Sequence, residues 1–269
     1  MFVDCHAHLD PYSDLEVGEV LERAREAGVQ AVISAGTTLE SSRRSIDLSS
    51  AYSGLFSGVG IHPMDIQAPF TDATYEELRG MASDCPKVLV VSEIGLDFME
   101  GAPDRADQYH AFREQIRLAR DLKLPVVFHS REAHEESFRV LREEKAYEVG
   151  GVMHYFQGDY ETAQQVIDLG FYISLARPLQ RLSHLQEAAA EIPLANIVLE
   201  TDATPQPFKS KRENWTEPRH VRDVAELLAQ LQGVSIEEVE ETTARNIRDV
   251  LGPGWDTLQS YMARDSAAD

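Results

Sequence analysis

Cysteine is scarce in this chain of 269 residues, with only Cys5 and Cys85 present. Two thiols this far apart give neither a disulfide framework nor a thiolate-rich metal spacing, and they fit a reducing compartment. Long apolar runs are also missing: none approaches the roughly 18 to 20 residues that cross a bilayer. The N-terminus carries neither a basic segment nor an apolar signal region, so the expectation is a cytoplasmic protein with no membrane contact. Basic residues are few, 25 Lys and Arg against 46 Asp and Glu, for a formal charge of -21. That balance argues against a protein that grips nucleic acid through a broad basic face, because such a face binds by displacing phosphate counterions. A polyanionic substrate would have to be met by local cations, either bound metal ions or the cluster Lys209-Ser-Lys-Arg212. No linker rich in Pro, Gly or Ser divides the chain, and no glycine-rich phosphate loop follows the first apolar segment, where a dinucleotide fold would place one.

What is present is a regular alternation. Apolar residues make up 43% of the chain, enough for a sizeable core. Eight short apolar runs predict strands at Phe2–His8, Val29–Ala35, Phe56–His62, Val88–Ile94, Val126–Ser130, Gly151–Tyr155, Phe171–Leu175 and Ile197–Thr201. Amphipathic segments lie between them, among them Leu15–Ala27, Gln108–Leu122 and Glu132–Glu144. Eight β-then-α units predict an α/β fold, a (β/α)8 TIM barrel, with residues 1–269 as one domain whose core runs from about 2 to 251. The regions around Gly101 and Lys209–Glu217 read as long loops, and Ser266–Asp269 as a frayed end.

The ends of these strands carry the chemistry. His6 and His8 end the first, His62 the third, Glu93 lies on the fourth, His129 on the fifth and His154 on the sixth, and Asp202 follows the eighth. In a barrel the C-terminal strand ends share one mouth. Alternate strand residues point the same way, so His6 and His8 can reach one ion together. Imidazole and carboxylate suit zinc and similar divalent ions, and Glu93 has two oxygens with which to bridge a pair. Without cations, a buried Glu93 and Asp202 side by side would repel, and one would tend to keep a proton. Taken singly, each residue has an ordinary reading: His129 as a satisfied core histidine, Glu93 as the partner of an arginine, Asp202 as a turn cap. Those readings would have to hold independently at six or seven strand ends. His110, His134, His184 and His220 fall in helical or loop patterns and read as structural, while Asp10 and Asp97 read as setting loop geometry near the mouth.

The segments Asp4-Cys-His-Ala-His-Leu-Asp10, Gly60-Ile-His-Pro63, Glu93-Ile-Gly-Leu-Asp97, Leu124-Pro-Val-Val-Phe-His-Ser-Arg131, His154-Tyr-Phe-Gln-Gly158 and Leu199-Glu-Thr-Asp202 together resemble the TatD family of metal-dependent deoxyribonucleases, within the amidohydrolase-like barrels. The likeness spans about residues 2 to 251, including Glu217-Pro218 and Thr243-Ala-Arg-Asn246. It implies a two-metal site in which His6, His8 and Asp202 hold one ion, His129 and His154 the other, and Glu93 bridges them. It further implies that His62 meets substrate phosphate, and that the substrate is DNA. The sequence departs from the family pattern at Ser92, where glycine is usual, at Met64-Asp65, at Tyr155 and Gln157, and at Ala203-Thr-Pro205. None of these is an expected ligand, and all lie where substrate should rest.

The expected chemistry is hydrolysis by a metal-activated water, with two zinc, magnesium or manganese ions, Asp202 as general base and Glu93 setting the metal spacing. His62 and Arg131 would bind phosphate, and Lys209, Lys211 and Arg212 would extend that grip from the loop after the eighth strand. The partners expected are DNA or nucleotide ends as substrate, with no obligate protein partner. Two other readings remain open from sequence. The same dinuclear site could hydrolyse a carboxylic ester or amide, such as a D-aminoacyl-tRNA, or the chain could be a non-catalytic binding protein.

Overall fold

Strand-forming residues of the Val-Leu-Val-Val kind, set off by Gly and Pro, build one sheet of eight strands in chain order: β1 (Phe2–Ala7), β2 (Val29–Ser34), β3 (Leu55–Val59), β4 (Val88–Asp97), β5 (Val126–Arg131), β6 (Gly151–Met153), β7 (Phe171–Leu175) and β8 (Ile197–Leu199). The computed structural model describes residues 1–265, and the expected frayed end at Ser266–Asp269 lies outside the described residues. Every neighbouring pair from β1–β2 to β7–β8 is parallel. The sheet curls round until the Asp202 N–H donates to the His6 carbonyl (3.0 Å) and the His8 N–H to the Ala203 carbonyl (2.7 Å). These two bonds draw the end of β8 onto β1 and bring Asp202 beside His6 and His8.

Helices return the chain between strands: α1 (Asp14–Glu26), α2 (Leu39–Ala51), α3 (Asp72–Asp84), α4 (Arg105–Leu122), α5 (His134–Glu143), α6 (Tyr160–Asp168), α7 (Ser183–Glu191) and α8 (Val221–Gln232), followed by α9 (Ile236–Leu251) and α10 (Gly254–Asp265). Their starts are written locally. Ser13 and Glu16 form a capping box on α1, and the side chains of Asp104, Asp159 and Ser235 each accept a backbone N–H in the first turn of α4, α6 and α9. The strands' apolar residues divide by parity. Val32, Val126 and Phe128 pack with helix residues such as Val20 and Phe112, whereas Ala31, Ile33, Val127, Val152 and Val198 form a second cluster with Ile247, Leu251, Trp255 and Leu258. Because Val3, Val90 and Val127 come early in their strands, α9 and α10 close the N-terminal end of the barrel, leaving the C-terminal end for chemistry.

Three strands stop two or three residues before their expected ends, while β1 and β2 stop one residue early. β3 stops at Val59, β6 at Met153 and β8 at Leu199, so His62, His154 and Asp202 stand on the segments just beyond. At His62 the cause is local: Pro63 cannot donate to a ladder and begins a single 3-10 turn, which His62 caps. β4 instead runs on to Asp97, paired with β5 as far as Arg131. That pairing needs Gly95, where φ is +146° and a Cβ would stand 2.0 Å from the His129 carbonyl oxygen.

Candidate metal centre

The seven side chains picked out at the strand ends do meet. Glu93 is buried at their centre, and its two oxygens face different groups. Oε2 lies 3.4 Å from Nε2 of both His6 and His8, while Oε1 lies 2.7 Å from His154 Nε2 and 3.2 Å from both His129 Nδ1 and His62 Nε2. Asp202 Oδ1 completes the first group, 3.1 Å from His8 Nε2 and 3.8 Å from His6 Nε2. Three sets of donors, His6/His8/Glu93, His6/His154/Asp202 and His62/Glu93/His129, each lie within 4.8 Å of one another. The middle set joins residues that the resemblance assigns to different ions, because the His154 ring stacks on His6 with centroids 4.1 Å apart. Asp202 (φ +53°) and Tyr155 (φ +49°) both take the left-handed backbone conformation disfavoured for non-glycine residues, a strain held where the chain turns its side chains into the mouth.

Carboxylates behind the imidazoles decide which nitrogen faces inward. His129 Nε2 lies 2.8 Å from the buried Asp97, which leaves Nδ1 toward Glu93. His154 is reversed, with Nδ1 3.5 Å from Glu200 and Nε2 toward Glu93. Glu200 is itself buried and accepts the Tyr155 N–H at 2.6 Å. Behind His6 stands a hydroxyl instead, Ser92 Oγ at 3.4 Å from Nδ1. Glu200 had no assigned role from sequence and Asp97 only a loop role. The available signal was a carboxylate at the end of an apolar strand, as in Ile197-Val-Leu-Glu200.

Both central carboxylates favour the ionised form, although repulsion between them was expected to leave one protonated without cations. Burial favours the neutral form of Glu93, but His154, His62 and His129 outweigh it and hold the carboxyl well below the usual range. Asp202 is likewise opposed by burial and drawn down to about 2, chiefly by His8. The carboxylates in turn raise His8 and His154 well above the ordinary histidine value against their burial, whereas in His6 burial wins and the value falls. Five imidazoles around two carboxylates suit divalent cations, which would replace imidazolium protons as the neutralising charge.

The expected phosphate contacts are less uniform. Arg131 directs Nη2 to Asp97 at 2.6 Å and Nε at 2.8 Å, so its charge serves as that carboxylate's counterion. Lys211 lies 3.4 Å from Glu213, and Arg212 bonds Glu217 at 2.8 Å while stacking over Trp215. Lys209 gives its ammonium to the Asn214 carbonyl at 2.9 Å and has no carboxylate partner among the described residues.

An eight-stranded parallel barrel with imidazoles and carboxylates gathered at its C-terminal mouth defines the class of metal-dependent hydrolases. Residues 3–252 match the family described as TatD related DNase, and the chain belongs to that family. It is 34% identical over 256 residues to the uncharacterized metal-dependent hydrolase YabD of Bacillus subtilis, covering 92% of this chain and 98% of that one. It is 32% identical over 241 residues to the 3'-5' ssDNA/RNA exonuclease TatD of Klebsiella pneumoniae, covering 87% and 91%. Among solved structures it is similar to the TatD homolog YjjV of Escherichia coli, with a TM-score of 0.84 at 30% identity over 93% of this chain and 97% of that one.

Proposed function

We propose that this hydrolase cleaves phosphodiester bonds at the ends of DNA, using two divalent ions of the zinc, magnesium or manganese kind. The observation that carries the reading is the divided orientation of Glu93, one oxygen toward His6 and His8 and the other toward His129 and His154. On this reading His6, His8 and Asp202 hold one ion, His129 and His154 the second, and Glu93 belongs to both. Bound there, such ions would polarise a phosphoryl oxygen and lower the pKa of an attacking water. Asp202 stays ionised at neutral pH, and at 29% side-chain exposure it reaches solvent as acceptor of the water's proton. His62 has a different task. Its Nδ1 accepts the Met64 N–H at 3.1 Å, which leaves Nε2 as the ring donor; Nε2 faces Glu93 Oε1 at 3.2 Å and, on this reading, would turn to a substrate phosphate oxygen once ions engage Glu93. The charge of -21 suits a short strand end entering the mouth better than a long tract along the surface.

The test is cleavage of 5'-labelled and 3'-labelled single-stranded DNA by chelator-stripped protein resupplied with magnesium, manganese or zinc. Metal-dependent shortening is expected, with loss of at least about a hundredfold in rate for Asp202→Asn. No shortening with any of the three metals would overturn the nuclease reading and direct the search to carboxylic ester and aminoacyl-tRNA substrates.

A further inference from the structure

Phe208 is the most exposed large apolar side chain among the described residues, at 80%. It stands on the segment that leaves β8 through Asp202, at the barrel end where the metal centre lies. That segment is ordered by its own bonds. The Thr216 N–H donates to Gln206 Oε1 (2.8 Å), the Lys209 N–H to the Gln206 carbonyl (2.9 Å) and the Lys209 ammonium to the Asn214 carbonyl (2.9 Å). Pro205 and Pro207 restrict the backbone just before Phe208. An aromatic ring held out in water on a pinned loop adds little to folding, and the cost of ordering its backbone is already met.

Two cations at this side of the mouth have no carboxylate partner among the described residues. Arg177, two residues beyond the end of β7, reaches the same loop with Nη1 3.4 Å from Thr216 Oγ1. Neither Arg177 nor Lys209 has a carboxylate within ion-pair distance among the described residues, although acidic residues outnumber basic ones in the chain. The two cations feel each other: desolvation and the field of Arg177 push the Lys209 ammonium below the ordinary lysine range. Burial and Arg177 do the same to His220. Like charges held together without counterions are stabilised by an arriving anion.

We propose that Phe208, Lys209 and Arg177 form a nucleotide subsite at the β7–β8 side of the mouth, in which Phe208 stacks on a base while Lys209 and Arg177 hold its phosphate. The subsite rests on the nucleic-acid reading above and requires an unpaired base at this side of the mouth, since only such a base offers its face to a ring. Exposed stacking with flanking cations is also sequence-tolerant, because every base has a π-face.

The test uses Asp202→Asn protein in manganese buffer, so that binding is read without turnover, with fluorescent octathymidylate and an abasic strand of equal length as probes. Phe208→Ala should weaken octathymidylate binding by about tenfold and leave the abasic strand unaffected, with Phe208→Trp restoring affinity. Arg177→Gln and Lys209→Gln should weaken both probes and each flatten the dependence of log affinity on log salt by about 0.7. Tyr147→Ala, which removes an exposed aromatic from the turn before β6, should change neither probe. Unaltered octathymidylate affinity in Phe208→Ala, with the parent still binding, would overturn the subsite alone. If that variant also lost a self-associated species in sedimentation, Phe208 would belong to a contact between copies, which equally overturns it. Failure of the parent to bind either probe would overturn the nucleic-acid reading and the subsite with it.

Discussion

A metal-binding imidazole works through one nitrogen, and the atom behind the other nitrogen decides which one it is. In His129 the inward atom is Nδ1 and in His154 it is Nε2, because Asp97 and Glu200 stand on opposite edges of the two rings. A carboxylate behind a ligand imidazole both orients the ring and raises its basicity. Glu200→Gln keeps an acceptor for the Tyr155 N–H and removes the charge behind His154. We expect metal affinity to fall about 10- to 100-fold with the fold intact, read by calorimetric titration of stripped protein. Unchanged affinity would show that Glu200 serves Tyr155 alone. At this scale the candidate ligand types and their spacing were legible in the sequence. The tautomers were not, since they depend on contacts between residues 32 apart in one case and 46 in the other.

Among the elements, β4 carries the heaviest demand, because it must deliver Glu93 to the centre and still pair with β5 beyond it. Gly95 makes this possible by letting the His129 carbonyl approach where a side chain would stand. Gly95→Ala should therefore destabilise the protein by about 3 kcal/mol or more in urea unfolding, and weaken metal binding as His129 shifts. A loss below about 1 kcal/mol would mean that the two strands part without cost. The loop after β8 has its own anchor. Glu217 is buried and accepts from Arg23 at 2.8 and 2.9 Å and from Arg212 at 2.8 Å. Burial opposes its charge, but Arg23, Arg219 and Arg212 prevail and hold the carboxyl below the usual range. A depressed folded-state value gives stability that is complete above the unfolded carboxylate value near about 4.3 and is lost as pH falls through the folded one. Glu217→Gln should thus cost about 1 to 3 kcal/mol at pH 7. The arginines are about one-third exposed, so solvent screening favours the lower half of that range. Chemical denaturation at a series of pH values should show the gap between wild type and variant closing as acid is added. Strand and helix identities were legible here from period. The early stop of β3 was implicit in Pro63, whereas no local pattern announced the short β6 and β8.

For the whole molecule, the centre joins residues from β1, β4 and β5 and the segments after β1, β3, β6 and β8, so ions bound there would tie most of the barrel together. Ligands that bind only the folded state stabilise it in proportion to the logarithm of their excess over Kd, about 2.7 kcal/mol at a hundredfold excess. Restoring metal to chelated protein should raise Tm by roughly 5 to 10 °C, and Glu93→Gln should abolish most of that rise. Equal melting with and without metal would contradict a loaded centre built from these residues. No helix among the described residues is long and apolar enough to cross a membrane.

By itself the sequence determined the eight-unit barrel, the order of its parts and the seven side chains at the mouth, because periodicity and strand-end position are local properties of a chain. Only the tertiary structure decided how those side chains share charge. Glu93 and Asp202, one of which was expected to keep a proton without cations, are both drawn toward the ionised form, since five imidazoles brought from distant parts of the chain surround them. Arg131, Lys211 and Arg212, alike as cations in sequence, are each matched to a carboxylate in space, while Lys209 has none among the described residues. Charge pairing depends on distance through space, and that distance is set by closure of the barrel.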